Sequence, residues 1–219
     1  MSQERVAEVF DQWATNGRAE SMEAGHGSRM SSVLSTLSTR PGDRVLDLGC
    51  GNGWMTRELA VRVPDGEAIG VDLSPEMVNR ASEQSAAMAN TRFVACDLLK
   101  LPIEDASIDH VVSMEALYYV SDLEGALAEV ARTLRSSGTL TVGVDFYEEN
   151  RHSHPWPEWM GLEMRLLSAS GWVRALEDSG LVRVHQFRSL APPVAPIEDA
   201  DSADFLTQVG TLVVRGLKP

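Results

Sequence analysis

Cysteine is scarce in this sequence. Only Cys50 and Cys96 occur among 219 residues, and each falls at the end of a predicted strand. Two isolated thiols exclude a disulfide-stapled secreted fold and a metal site built from several thiolates. We therefore expect both cysteines to be reduced, and we predict no metal site.

Long apolar runs are also missing. No stretch approaches the roughly 20 apolar residues that a membrane-spanning helix needs. The first residues, MSQERVAEVFDQW, lack both the apolar core of a secretion signal and the Arg/Ser pattern of a transit peptide. These absences predict a cytoplasmic protein without a membrane span.

Positive charge is the third deficit. Nineteen Lys and Arg residues face 32 Asp and Glu residues, which gives a net charge of −13. Nucleic-acid binding needs a basic face that displaces counterions, so this composition argues against a nucleic-acid partner and favours a small-molecule acceptor. Only Lys100 and Lys218 are lysines. Such a surface suits a salt-rich cytoplasm, where screening weakens self-repulsion, and it suits an ordinary acidic protein equally well.

What the sequence does contain is an alternation of strands and helices. Apolar strand patterns are predicted at residues 44–48, 67–72, 91–97, 108–114, 138–144, 181–187 and 210–216. Helices between successive strands are typical of parallel βαβ units in an α/β fold. The last two strands are joined by a Pro- and Asp-rich connection, residues 191–204, with no helical pattern, and we expect them to pair antiparallel.

The first forty residues are predicted to form a helical cap on a single domain that spans residues 1–219. Residues 6–13 and 30–37 each place apolar side chains at helical spacing. Residues 15–28 contain three glycines and are predicted to be a loop between two helices. Such a loop is suited to closing over a bound ligand.

The segment VLDLGCGNG, residues 45–53, ends a strand in a glycine-rich bend. Gly49, Gly51 and Gly53 let the backbone approach a ligand at the strand ends, where open parallel sheets bind nucleotides. Two nucleotide-type cofactors compete for such a bend. A dinucleotide is disfavoured because the third glycine follows the first by four residues instead of five, and because Asp47 would repel a pyrophosphate.

Together with the later strand ends, this segment resembles the first motif of class I S-adenosylmethionine-dependent methyltransferases. The order of elements is similar to their ubiquinone/menaquinone-biosynthesis-like, methyltransferase type 11 branch, which acts on many acceptors. The resemblance implies a Rossmann-like, seven-stranded, mostly parallel sheet with an antiparallel C-terminal strand and helices on both faces. It also implies S-adenosyl-L-methionine as cofactor and in-line, metal-independent methyl transfer.

The resemblance places this cofactor along the ends of the first four strands. The glycine bend would surround the methionine part with Asp47 near its ammonium, Asp72 would accept the ribose hydroxyls, and Asp97 would bind the adenine amino group. The full set of cofactor contacts that it implies is Asp47, Gly49, Cys50, Gly51, Gly53, Asp72, Leu73, Met77, Asp97, Leu98, Ser113 and Met114.

Three side chains are candidates for the catalytic role of a general base: Glu115, Tyr118 and His152. A base is needed when the acceptor carries a proton that is hard to lose. Glu115 follows the fourth strand, where this family places residues near the transferred methyl group. A purely structural role, as acceptor for a backbone N–H, explains Glu115 equally well.

Residues 145–169 are predicted to be a substrate-side insertion after the fifth strand. They concentrate Phe146, Tyr147, Trp156 and Trp159 beside two histidines. Such rings would wall a pocket for a flat or cationic acceptor, or would simply pack the insertion onto the sheet.

Three functions follow from these patterns. The preferred one is a methyltransferase that acts on a small molecule. The others are a nicotinamide-dependent Rossmann oxidoreductase and a non-catalytic S-adenosylmethionine-binding protein. The acceptor, the methylated atom and the oligomeric state stay open.

Overall fold

The chain alternates between strands and helices, as its apolar spacing predicts. The computed structural model describes residues 3–190 and 210–219. Its strands are β1 (Arg44–Leu48), β2 (Glu67–Asp72), β3 (Thr91–Ala95), β4 (Ile108–Met114), β5 (Leu134–Val144), β6 (Val182–Ser189) and β7 (Thr211–Leu217). Its helices are α1 (Gln3–Thr15), α2 (Arg18–Leu34), α3 (Trp54–Arg62), α4 (Pro75–Gln84), α5 (Leu123–Thr133), α6 (Trp156–Met160) and α7 (Ala169–Asp178). Short 3₁₀ helices span Leu117–Tyr119 and Arg151–Ser153.

The seven strands form one sheet in the order β3-β2-β1-β4-β5-β7-β6. The pairs from β3 to β5 are parallel, and Leu46 of β1 lies between Ile69 of β2 and Val111 of β4. β7 runs antiparallel to both β5 and β6. The predicted fold class is confirmed, including the antiparallel C-terminal strand. The predicted connection at residues 191–204 lies outside the described residues.

Side chains on alternate residues of each strand enter two separate cores. On one face, Leu46 and Leu48 pack in the cluster that includes Leu127 of α5 and Trp172 of α7. On the other face, Val45 packs in the cluster formed with helices α2 and α3. Helices therefore cover both faces of the sheet. The polar residues at the carboxyl ends of the strands lie outside these two cores.

The prediction of a loop at residues 15–28 is wrong. Asn16 and Gly17 separate α1 from α2, Gly17 has a φ of +83°, and α2 continues through Gly25 and Gly27. An interior glycine costs a helix roughly 1 kcal/mol relative to alanine. Burial of Met30, Leu34 and their neighbours against the sheet offsets that cost.

None of the helices in residues 3–190 and 210–219 combines the length and the apolar character needed to cross a bilayer.

Candidate active site

A cavity opens where the strand order reverses, between β1 and β4. It has a volume of about 720 Å³ and is lined by residues that follow β1, β2, β3 and β4. Residues of α1 and α6 complete its walls. This is the place at which open parallel sheets bind ligands, because the connections leave the sheet in opposite directions there.

The glycine bend is held by both neighbouring strands. Gly49 and Cys50 donate their backbone N–H groups to the carbonyl of Val71, at 2.8 and 3.0 Å. Gly49 has a φ of +70°, and a Cβ at this position would collide with the Cβ of Ala116, beyond β4. Gly51 has a φ of +51° and open space where a Cβ would stand. The bend therefore presents bare backbone to the cavity.

Asp72 joins the tip of β2 to this bend. Its two carboxylate oxygens accept hydrogen bonds from the backbone N–H groups of Gly51 and Ser74, both at 2.9 Å. Burial raises the pKa of Asp72. Each oxygen keeps a second lone pair, so the carboxylate can still accept hydrogen bonds from ligand hydroxyl groups.

Asp47 is the most deeply buried acid on the cavity wall, at 0% exposure. One oxygen accepts a 2.6 Å hydrogen bond from the Thr56 hydroxyl. The other, Oδ1, has no hydrogen-bond partner among the described residues. Burial raises the pKa of Asp47 to about 7. A ligand ammonium would supply both the missing donor and the missing charge, whereas a pyrophosphate would supply neither.

Ten of the predicted cofactor contacts line the cavity, and they are Asp47, Gly49, Cys50, Gly51, Asp72, Leu73, Met77, Asp97, Leu98 and Met114. Both cysteines are free, as expected, and burial raises the pKa of the Cys50 thiol far above its ordinary value. Cys50 is therefore a neutral wall of the cavity.

Three predicted site residues are not on the cavity wall. Gly53, at the start of α3, packs against Ala81 and Phe93. The Ser113 hydroxyl donates to the carbonyl of Leu48, at 3.2 Å, and so ties β4 to β1. His152 lies in the 3₁₀ helix after β5. Its place in the sequence, near the end of β5, does not bring its side chain to the cavity.

Glu115 follows β4 and faces the cavity. Its φ is +55°, which is uncommon for a residue with a long side chain. One carboxylate oxygen accepts a 2.7 Å hydrogen bond from the Tyr118 hydroxyl, and the other accepts one from the backbone N–H of Asp145. Burial and the carboxylate of Asp145 raise the pKa of Glu115 to about 8. This carboxyl group can therefore exchange a proton near neutral pH.

Tyr118 lines the same part of the cavity but is poorly suited to act as a base. Burial and the nearby Glu115 raise the pKa of its phenol well above the ordinary value. Tyr118 therefore remains protonated and serves as a hydrogen-bond donor that holds Glu115 in place.

Sequence reasoning missed a buried ion pair behind Glu115. Arg29 of α2 donates to Asp145 at 2.8 Å, and both side chains are 2% exposed. His26, also on α2, lines the cavity, and burial lowers its pKa to about 4. Asp145 follows β5 directly, and this position at the end of a strand could have identified it as a site residue. Arg29 gave none, because its alignment depends on the helix that the glycines obscured. His26 belongs to residues 15–28, which the sequence predicts to close over a bound ligand.

The chain is similar to known methyltransferases. The family profile described as a methyltransferase domain matches residues 45–138. A Haloferax volcanii protein assigned as a methyltransferase, solved in complex with the Trm112 methyltransferase activator, is 35% identical with a TM-score of 0.86. The match covers 96% of this chain and 97% of that one.

Two curated relatives match over part of their length. Malonyl-[acyl-carrier protein] O-methyltransferase of Legionella pneumophila is 30% identical, over 66% of this chain and 52% of the relative. Demethylmenaquinone methyltransferase of Staphylococcus aureus is 37% identical, over 48% of this chain and 44% of the relative. This chain therefore spans about half the length of these curated relatives.

The Haloferax volcanii complex corrects the predicted partners, which include a small-molecule acceptor and no protein activator. That relative, which is similar over nearly its whole length, assembles with a protein. Net charge and cofactor motifs could not reveal such a partner, because protein recognition depends on one local complementary patch and not on overall composition.

The raised pKa of Asp47 predicts how cofactor binding depends on pH. An ammonium ligand needs the ionised carboxylate, so affinity for S-adenosylhomocysteine should rise roughly eightfold from about pH 6 to about pH 7.5. The ligand amino group stays protonated across this range, because the carboxylate of the same amino-acid tail stabilises its charged form. Calorimetric titration of the wild-type protein and of Asp47→Asn measures the effect. The variant should bind more weakly with a flat profile, and parallel profiles for the two proteins would contradict the assignment.

Proposed function

This chain belongs to the class I S-adenosylmethionine-dependent methyltransferase family, as its sequence predicts, and we propose that it methylates an acceptor bound beside Glu115. S-adenosylmethionine is its cofactor. The observation that carries the proposal is the bare Oδ1 of Asp47, a buried carboxylate oxygen at the glycine bend. A family cofactor with an amino-acid tail satisfies this atom, and a dinucleotide does not.

The cavity wall offers a partner for each part of the cofactor. Asp47 would take the ammonium, and the bend at Gly49 and Gly51 would lie along the methionine chain. Asp72 would accept the ribose hydroxyls, and Asp97 would accept from the adenine amino group, since each is a carboxylate at a strand end. The rings and alkyl groups of the wall would cover the adenine. When bound, the cofactor supplies a methyl group on a positively charged sulfur.

The residues after β4 would act on the acceptor. Glu115 would take a proton from the attacking atom, and Tyr118 would hold the carboxylate in position through its 2.7 Å hydrogen bond. The remaining task of the protein is to align the acceptor and exclude water, because a sulfonium needs no metal to become reactive.

We assign the covering elements to two roles. α1 and α2 form the cap over the cavity, supported by Val9, Phe10 and Trp13 on its wall. Residues 145–169 form the acceptor side, supported by Trp156, Trp159 and Met160 on the same wall. The two free thiols also favour a reducing compartment such as the cytoplasm.

We further propose that the chain works in complex with an activator protein of the Trm112 type. The support is the Haloferax volcanii relative, which is 35% identical and aligned over 97% of its length.

Calorimetric titration with S-adenosylhomocysteine and with NAD tests the cofactor. We expect S-adenosylhomocysteine to bind in the micromolar range or tighter, because its ammonium pairs with Asp47 and its ribose hydroxyls pair with Asp72. NAD should bind at least about a hundredfold more weakly. Tighter binding of NAD would favour an oxidoreductase. The chain could bind the cofactor and yet, in complex with the Trm112 activator, transfer no methyl group to any acceptor. That outcome would favour a non-catalytic protein.

Mixing the purified chain with Haloferax volcanii Trm112 tests the partner. The two proteins should co-elute in size-exclusion chromatography, and the melting temperature of this chain should rise, because a partner that binds only the folded state stabilises it. The Haloferax volcanii methyltransferase serves as the positive control. Separate elution of this chain under conditions in which the control forms its complex would contradict the proposal.

A further inference from the structure

Aromatic rings line one half of the cavity in an almost unbroken series. The ring of Phe10 lies 5.0 Å from Trp13 and 5.1 Å from Tyr119, and Tyr119 lies 4.5 Å from Tyr118. Trp156 and Trp159 of α6 also line the cavity, and Trp159 is 73% exposed. We call these six residues the aromatic half of the cavity. Ring faces attract cations, and the attraction grows where water is excluded.

A carboxylate stands at the inner end of the aromatic half. Glu115 lines the cavity and accepts a hydrogen bond from Tyr118, one of these six residues. Its oxygens retain lone pairs, since each accepts a single hydrogen bond from the described residues. Rings around a carboxylate form a site for a positively charged nitrogen.

The cationic side chains on the described part of the cavity wall are already engaged. Arg5 pairs with Glu8 at 3.1 Å, and the guanidinium of Arg18 lies 4.5 Å from the centre of the Trp13 ring. His26 is neutral at pH 7, because burial lowers its pKa to about 4. Residues 191–209 add four acidic residues and no Lys, Arg or His to the sequence. An anionic acceptor would meet the carboxylate of Glu115, whereas the charge of Arg18 lies beyond Trp13, at the other end of the series of rings that starts at Tyr118.

We propose that the methyl acceptor is an amine nitrogen that arrives as an ammonium ion and binds in the aromatic half of the cavity with Glu115 as its counter-ion. This inference rests on the proposed methyl transfer. The net charge of −13 favours the approach of such a cation over that of an anion.

The chemistry balances without a further reactant. Glu115 first gives the proton that its raised pKa retains to water, so that the ammonium binds its ionised form. An N–H bond of the ammonium then breaks and an O–H bond forms on Glu115, which leaves a lone pair on nitrogen. That pair forms the new N–C bond, while the electron pair of the S–C bond returns to sulfur. The product is a methylated ammonium, and Glu115 then gives its proton to water. The raised pKa of Glu115 brings its proton affinity closer to that of an amine, which eases the first transfer.

A matched pair of probes tests the charge preference without any reaction. Choline is a quaternary ammonium that cannot be methylated, and 3,3-dimethylbutanol has the same shape with no charge. Calorimetric titration in saturating S-adenosylhomocysteine should show choline binding at least about tenfold more tightly. Equal binding of the two probes, or tighter binding of the neutral one, would overturn the inference.

Variants locate the site. Glu115→Gln should weaken choline binding about tenfold, and Tyr119→Leu should also weaken it, because each removes part of the cation site. Glu104→Gln removes the same charge from an exposed position off the cavity and should bind choline as the wild type does. Loss of choline affinity in Glu104→Gln, or full retention in both cavity variants, would contradict the assignment.

Two additional arms separate the possible outcomes. A peptide that carries trimethyllysine, compared with choline, shows whether the ammonium belongs to a protein or to a free amine, and tight binding of either supports the inference. In an acceptor screen, transfer to phenols and not to amines would overturn it. Binding of S-adenosylhomocysteine is measured in the same titrations. Its absence would reject the proposed function, whereas its presence without choline binding would reject this inference alone.

Discussion

Two carboxylates buried at the tips of neighbouring strands, Asp47 and Asp72, determine what this fold can bind. Taking a carboxylate out of water is costly unless hydrogen bonds or an opposite charge replace the lost hydration. Asp72 is compensated by two backbone N–H groups, from Gly51 and Ser74. Asp47 accepts a hydrogen bond from the Thr56 hydroxyl, and its Oδ1 has no partner among the described residues. The site is therefore electrostatically incomplete, and a cation completes it.

A second pair of neighbouring acids, of which one is less well compensated, lies further along the sheet. Beyond β4 and β5, Glu115 and Asp145 are neighbouring acids, and only Asp145 has a buried guanidinium as its partner. Burial and the nearby charge of Asp145 raise the pKa of Glu115 to about 8, and the backbone at this residue has a positive φ. Such a backbone conformation costs of order 1 kcal/mol and persists only where the surroundings fix it, which the Tyr118 and Asp145 hydrogen bonds do here. In our proposal, Asp47 and Asp72 bind the cofactor and Glu115 acts on the acceptor.

The parts of this arrangement that follow from local chemistry could be predicted from the sequence. The strand ends at Asp47, Asp72 and Asp97 and the glycine bend are marked by apolar runs that stop abruptly, and parallel strands bring such ends together. Contacts that depend on tertiary alignment could not be predicted. Gly25 and Gly27 have low helix propensity, so the sequence predicts a loop where α2 places Arg29 beside Asp145. The helix forms because burial elsewhere in α2 outweighs that low propensity. His152 is close to β5 in sequence and yet off the cavity wall, since its position depends on the course of the backbone after the strand.

A crystal structure with S-adenosylhomocysteine tests the central claim most directly. The account predicts the ligand ammonium within about 3 Å of Asp47 Oδ1 and the ribose hydroxyls on the Asp72 carboxylate. A ligand whose ammonium lies elsewhere, with Asp47 Oδ1 still bare, would contradict it. So would a bound dinucleotide whose pyrophosphate crosses the bend at Gly49 and Gly51.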